Sequence, residues 1–168
     1  GGSDELIDLG HSRSYQTLTE SYLHHAGLNS IDRLWLTHGD TGHTSAAPEF
    51  MERYAPKVYQ SRWKSRSPSV LALERTLMDR GATTVRLEAG ESIALGRGSY
   101  WEVLYPPGDE QFAASAADDR GLVLRLHALG WRVLFMVDAG FTTERWLLDF
   151  DTDLTADVLI KGHHADDY

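Results

Sequence analysis

A chain of 168 residues with 42% hydrophobic and 24% charged residues has the length and balance of one globular domain, burying roughly two thirds of its unfolded surface. The absence of cysteine excludes disulfides and thiolate ligands, so any metal must rest on His, Asp and Glu. A net charge of −9 excludes the broad basic surface of most nucleic-acid binders and leaves phosphate contacts to be local or carried by a metal ion.

In chain order, Leu6-Ile7-Asp8-Leu9-Gly10 reads as the end of a short buried strand with Asp8 and Gly10 at its mouth. Ser14 to Ala26 follows a helical pattern with Tyr15, Leu18, Tyr22 and Leu23 as its apolar face and Gly27 as its stop. His24 and His25 near its end suit solvent or the helix dipole. Ile31 to Thr37 is the next strand. Past His43, Ser45 or Thr44 is expected to cap a helix running to about Tyr54, with Pro48 and Glu49 in its first turn. Lys57 to Gln60 reads as a strand. Ser61 to Ser67 is a basic, serine-rich loop, read first as a solvated connector and second as a local phosphate contact. Ser67-Pro68 opens a helix through Arg80, closed by Gly81.

Strands follow at Thr84–Leu87, Ser92–Leu95 and Tyr100–Tyr105, and then a loop from Pro106 to Arg120. Leu122–Ala128 and Arg132–Val137 flank Leu129-Gly130 as a hairpin. Thr142 or Thr143 opens a short helix with Trp146, Leu147 and Phe150 on one face. Ala156–Lys161 is the last strand, ending in Gly162-His163-His164-Ala165-Asp166-Asp167. The order predicts an α/β or layered α+β domain with helices outside sheet layers. No apolar run approaches the roughly 18 residues of a transmembrane helix. Both ends, Gly1-Gly2-Ser3 and Tyr168, read as cut from a longer protein, so residues 1–168 are expected to be a single partial domain.

The chemistry concentrates in Leu34-Trp35-Leu36-Thr37-His38-Gly39-Asp40-Thr41-Gly42-His43. An apolar strand ends there in two imidazoles and a carboxylate, the ligands that zinc and manganese accept. Small spacers let the backbone turn tightly enough for them to converge. The alternative is a polar turn whose histidines cap nearby backbone groups. The wider pattern favours the metal: Asp8, the His38/Asp40/His43 group, Asp138 and His163/His164 each follow an apolar strand, and strand ends in α/β proteins form the rim where ligands bind.

Taken together, Leu6–Gly10, Ile31–His43, Leu122–Leu126, Val133–Asp138 and Asp157–His164 resemble the metallo-β-lactamase fold. The resemblance is specifically to the domain at the C-terminal end of ComEC-type DNA-uptake (competence) proteins, because the wider superfamily usually has histidine at the position of Asp40. It implies an αβ/βα four-layer sandwich, truncated at both ends here, holding one or two divalent ions (Zn or Mn) between two sheets. His38, Asp40 and His43 would hold the first ion, Asp138 would bridge or complete the site, and His163 or its neighbour His164 would hold the second. Asp40 and Asp138 would be the catalytic carboxylates, and Asp8 would stand behind a ligand histidine and orient it.

The implied task is metal-assisted hydrolysis of DNA phosphodiesters. The domain would be the soluble part of a membrane channel protein, on the extracytoplasmic face of a bacterial membrane, binding DNA weakly. The sequence departs from the pattern at Gly42, where the family has Asp, and at Val137, where it has Gly. Ala165-Asp166 replaces Gly-Ser, and Asp118-Asp119-Arg120-Gly121 replaces an Asn…Ser signature. Asp166 or Asp167 is a compensating ligand in this reading, and Arg62, Lys64 and Arg66 are steering groups. Competing expectations are an accessory domain whose site has decayed and a hydrolase of another ester-type bond.

Overall fold

In the computed structural model the described residues are 3–62, 67–108, 121–150 and 153–161. Lys64, Arg66, Asp118, Asp119, Arg120, His163, His164, Asp166 and Asp167 lie outside them, as does the side chain of Arg62. The chain forms two compact units, Gly1–Arg86 and Leu87–Tyr168.

The first unit is built on strands β1 (Glu5–Ile7), β2 (Arg33–Leu36), β3 (Val58–Arg62) and β4 (Thr83–Leu87), in that spatial order. β1 pairs with β2 and β2 with β3, both in parallel, with Ile7 opposite Trp35 and Trp35 opposite Gln60. Parallel pairing needs crossover helices, and these supply the core. Helices α4 (Ala47–Arg53) and α5 (Pro68–Asp79) bury Phe50, Met51, Val70, Leu73 and Leu77 with Leu34, Leu36 and Tyr59. The spacing of the α5 residues, three and then four apart, is what one helical face requires.

Between β1 and β2 runs a helical stretch made of α1 (Ser12–Ser14), a π-helical segment Tyr15–Glu20 and α2 (Ser21–His25). The helix was expected, but its apolar face was not as expected. Tyr15 and Leu23 are buried, whereas Leu18 and Tyr22 are 66% and 68% exposed. The wider π turn rotates the chain less per residue than the α spacing assumes, so a stripe drawn at α spacing drifts off the core. The caps also differ. Thr44 closes the short helix α3 (Thr41–Thr44) and bonds back to the Asp40 carbonyl at 2.9 Å, while Ser45 Oγ accepts from the Ser12 N–H. Neither side chain caps α4, which starts from Ala46.

The second unit is a five-stranded sheet in sequential order: β5 (Ser92–Gly96), β6 (Ser99–Tyr105), β7 (Val123–Ala128), β8 (Trp131–Val137) and β9 (Val158–Lys161). The first four strands form an antiparallel meander. β9 returns parallel to β8 after helix α6 (Phe141–Asp149). Leu104, Val123, Leu134, Met136 and Leu147 form its core. Of the face expected on α6, Leu147 is fully buried and Trp146 packs on the core. Phe150 is 66% exposed and stacks on Trp146.

Candidate metal centre

Parallel strands end on the same side, so the first unit gathers its strand-end residues at one rim. Asp8 follows β1 and accepts a backbone φ of 55°. Asp and Asn tolerate this left-handed region better than most residues. Its N–H still bonds the Trp35 carbonyl at 2.9 Å, which places its side chain beside the residues just past β2. The next residue, Leu9, donates its N–H to the His43 carbonyl at 2.9 Å. The loop after β1 is therefore tied to both parts of the motif after β2.

The side chains continue this network. Asp8 Oδ1 accepts from the Thr37 N–H at 2.9 Å, and Oδ2 accepts from the Thr37 hydroxyl at 2.6 Å. The same Oδ2 accepts from His43 Nδ1 at 2.8 Å. An ionised carboxylate can only accept, so His43 carries its proton on Nδ1. The Thr37 hydroxyl has one proton and gives it to Asp8. Toward His38 Nδ1, 3.2 Å away, it must accept, and His38 too is protonated on Nδ1. These tautomers are assigned from the hydrogen-bond network.

With Nδ1 held in this way, Nε2 is the atom through which each ring would bind a metal, the usual ligand atom of a histidine held from behind by a carboxylate. The ring centroids are 3.9 Å apart, with His38 4% exposed and the His43 side chain 20%. Two imidazoles packed so closely, each held at Nδ1, are a donor set that fits a divalent cation of the zinc type.

Asp40 sits at the N-cap of α3 in extended conformation. Its carbonyl accepts from the His43 and Thr44 N–H groups, and its side chain makes no capping bond. The carboxylate is exposed and stands apart from the imidazole pair. Gly42 is exposed, and a Cβ built on it would meet nothing within 4 Å. In the second unit, Asp138 follows β8 directly. The residue before it, Val137, has φ 51° and lies at a register shift between β8 and β9. A β-branched residue in that region is strained. The family resemblance places glycine there, and the backbone explains the preference: only glycine takes that conformation without cost.

Thr37 is the residue that reading by motif passed over. It is fully buried, and its hydroxyl lies within hydrogen-bond distance of both Asp8 and His38. Its position immediately before a strand-end histidine was the available signal. The partner 29 residues away becomes visible only once β1 and β2 pair.

Two units built on mixed α/β and antiparallel sheets, with histidine and carboxylate at strand ends, define a metalloprotein-like α/β class. The chain belongs to the metallo-beta-lactamase superfamily, whose family model matches residues 5–167. It therefore has that family's mixed two-sheet fold, one that typically binds divalent metal ions. No curated protein sequence matches the chain.

Among solved structures, it is similar to a Thermotoga maritima protein named for the metallo-beta-lactamase family. That match has a TM-score of 0.63 at 16% identity and covers 97% of this chain and 82% of the other. It is also similar to zinc-bound PqqB from Methylobacterium extorquens, with a TM-score of 0.57 at 12% identity over 94% of this chain and 55% of PqqB. A third likeness is to the fold protein YhfI from Bacillus subtilis, with a TM-score of 0.51 at 8% identity over 79% and 48% of the two chains. The chain thus spans about half the length of PqqB and YhfI, and at these identities the likeness is one of fold. Among the described residues no helix is long and apolar enough to cross a membrane.

Proposed function

We propose that this chain binds a divalent metal ion through His38 and His43, with Asp138 as the further ligand that the family resemblance implies, and acts as a metal-dependent hydrolase of phosphodiesters, with DNA as the substrate. The observation that supports it is the network behind the imidazoles. Asp8 and Thr37 hold both rings at Nδ1, so Nε2 is the atom through which each ring would take a cation. Asp138 is the carboxylate that ends its own strand; the resemblance also assigns Asp40 to the first ligand set, but its carboxylate stands apart from the imidazoles here. His163 or His164, with Asp166, would extend the set to a second ion.

A bound divalent ion would supply Lewis acidity for hydrolysis. The protein's part is to hold two rings in one tautomer and one orientation, and to shield His38 from bulk water. The DNA reading rests on the resemblance carried by Asp40. With a net charge of −9, the ion itself would be the main phosphate contact, aided by Arg62, Lys64 and Arg66. Placement on the extracytoplasmic face, as part of a longer DNA-uptake channel protein, follows from the same resemblance.

Gly42 favours a second reading. Without a carboxylate there, the second ion loses a ligand, and the domain would serve as a folded accessory that positions DNA or a partner. Elemental analysis of the chain after loading with zinc or manganese and desalting separates the two readings. One or two equivalents, lost in His38→Ala and Asp138→Ala, support the hydrolase. No bound metal in the intact chain overturns it. A nuclease assay beside a panel of esters, lactones and thioesters then identifies the bond cleaved.

A further inference from the structure

We propose that Thr37 is a positioning residue through which Asp8 sets the tautomer of His38 as well as that of His43, so that one carboxylate controls both imidazoles. The inference rests on the reading of His38 and His43 as metal ligands and deepens it.

Three facts carry it. First, the Thr37 side chain is fully buried and lies within hydrogen-bond distance of two polar groups, Asp8 Oδ2 at 2.6 Å and His38 Nδ1 at 3.2 Å. Secondly, the direction of the chain of bonds is fixed at one end. Asp8 can only accept, so the hydroxyl proton points to Asp8 and the hydroxyl lone pairs are turned toward His38. Thirdly, the Thr37 N–H on Asp8 Oδ1 at 2.9 Å makes the Asp8–Thr37 contact two-pronged and removes the freedom to rotate out of it.

A bond from a charged acceptor shortens and strengthens the next one in the chain. The Thr37 oxygen, giving its proton to a carboxylate, is thereby a better acceptor for His38 than a hydroxyl facing water. The result is an asymmetric support: His43 leans on Asp8 directly, and His38 leans on it at one remove. The Asp8 Oδ2 atom serves both.

The test uses Thr37→Val, which keeps the shape and removes the hydroxyl, and Thr37→Ser, which keeps the hydroxyl. Thr37→Ala serves the same purpose should the extra methyl of valine disturb Asp8. Long-range ¹H–¹⁵N correlation spectra of the metal-free protein, at a pH where both rings are neutral, read each tautomer, and His38→Ala assigns the signals. The expected result is an Nδ1–H tautomer for both rings in the parent and in Thr37→Ser. In Thr37→Val or Thr37→Ala, His38 alone moves to a tautomer mixture while His43 is unchanged.

Zinc affinity by chelator competition is expected to fall about 10- to 100-fold in Thr37→Val and to recover in Thr37→Ser, the range found for lost outer partners of metal ligands. A residue of purely structural value would lower the melting temperature and leave the His38 tautomer alone, and that outcome overturns the proposal. Should the parent chain take up no zinc while the tautomers shift as described, the metal reading fails and the positioning role of Thr37 stands.

Discussion

Among the described residues, two carboxylate–histidine contacts of nearly equal length stand in different surroundings. In the first unit Asp8 meets His43 at 2.8 Å; in the second, Glu102 meets His127 at 2.9 Å. Asp8 is otherwise served by uncharged donors, the N–H and hydroxyl of Thr37, at the ends of parallel strands. Glu102 is also gripped by Arg125 Nε and NH2, at 3.0 and 2.9 Å, across the antiparallel pair β6 and β7. Arg125 is nearly fully buried and spends NH1 on the Asp153 and Thr155 carbonyls, fastening the segment that leads into β9. The Glu102 network ties β6, β7 and the segment before β9 together, whereas the Asp8 network joins the loop after β1 to two neighbouring imidazoles. A histidine on a carboxylate is therefore not a site by itself. What matters is what else the network holds: antiparallel strands around Glu102, a second imidazole beside Asp8.

The most damaging change should be Asp8→Ala. It strips the acceptor from three donors, at about 1 kcal/mol net for each hydrogen bond, and puts alanine at a left-handed φ. A loss of about 3 kcal/mol in urea unfolding is expected, with zinc affinity down about 100-fold. Loss of stability with zinc binding intact would break the comparison and make the first network as structural as the second.

Arg125→Met tests the other side. Removing one partner of a buried pair strands the other, and because Glu102 is 28% exposed the expected loss is at the low end, about 3 kcal/mol. Metal stoichiometry should not change. The same network sets an acid limit. Burial alone would raise the Glu102 carboxyl, but hydrogen bonds from His127 and Arg125 outweigh it and hold the group below its ordinary value of 4.5. A folded value below the unfolded one means the contribution is complete above 4.5 and is lost as pH falls through the lower folded value. The urea midpoint of the parent should drop in that window, and Arg125→Met should flatten the drop.

The strands and the strand-end positions of Asp8, His38 and Asp138 were legible because apolar runs closed by polar residues depend only on local order. The hairpin at Leu129-Gly130 appears where its pattern put it, with Leu129 at φ 53°. Three features were not legible for a common reason. The π turn at Tyr15–Glu20 changes which residues share a face, and nothing in Leu18 or Tyr22 announces it. Thr44 and Ser45 look like caps, but the chain first makes the separate turn Thr41–Thr44. The role of Thr37 depends on a partner brought in by strand pairing. Periodicity reports what a residue's own element does with it, and these outcomes were decided by another element or by an altered helical pitch.

The smallest expected effect is the most direct probe of what the first network lacks. Gly42 lies inside α3, and a side chain there would meet no neighbour within 4 Å. Its backbone is not in the left-handed region, so nothing in the fold demands glycine. Glycine within a helix costs up to about 1 kcal/mol relative to alanine, and aspartate recovers a few tenths of that. Gly42→Asp should therefore leave the melting temperature almost unchanged. If the missing carboxylate is what weakens the second metal position, the bound zinc should rise by one equivalent under the same loading. If stability holds and metal content does not rise, the deficit lies in the carboxylates already present. Asp40 would be the first to examine, because it stands exposed and apart from the imidazoles.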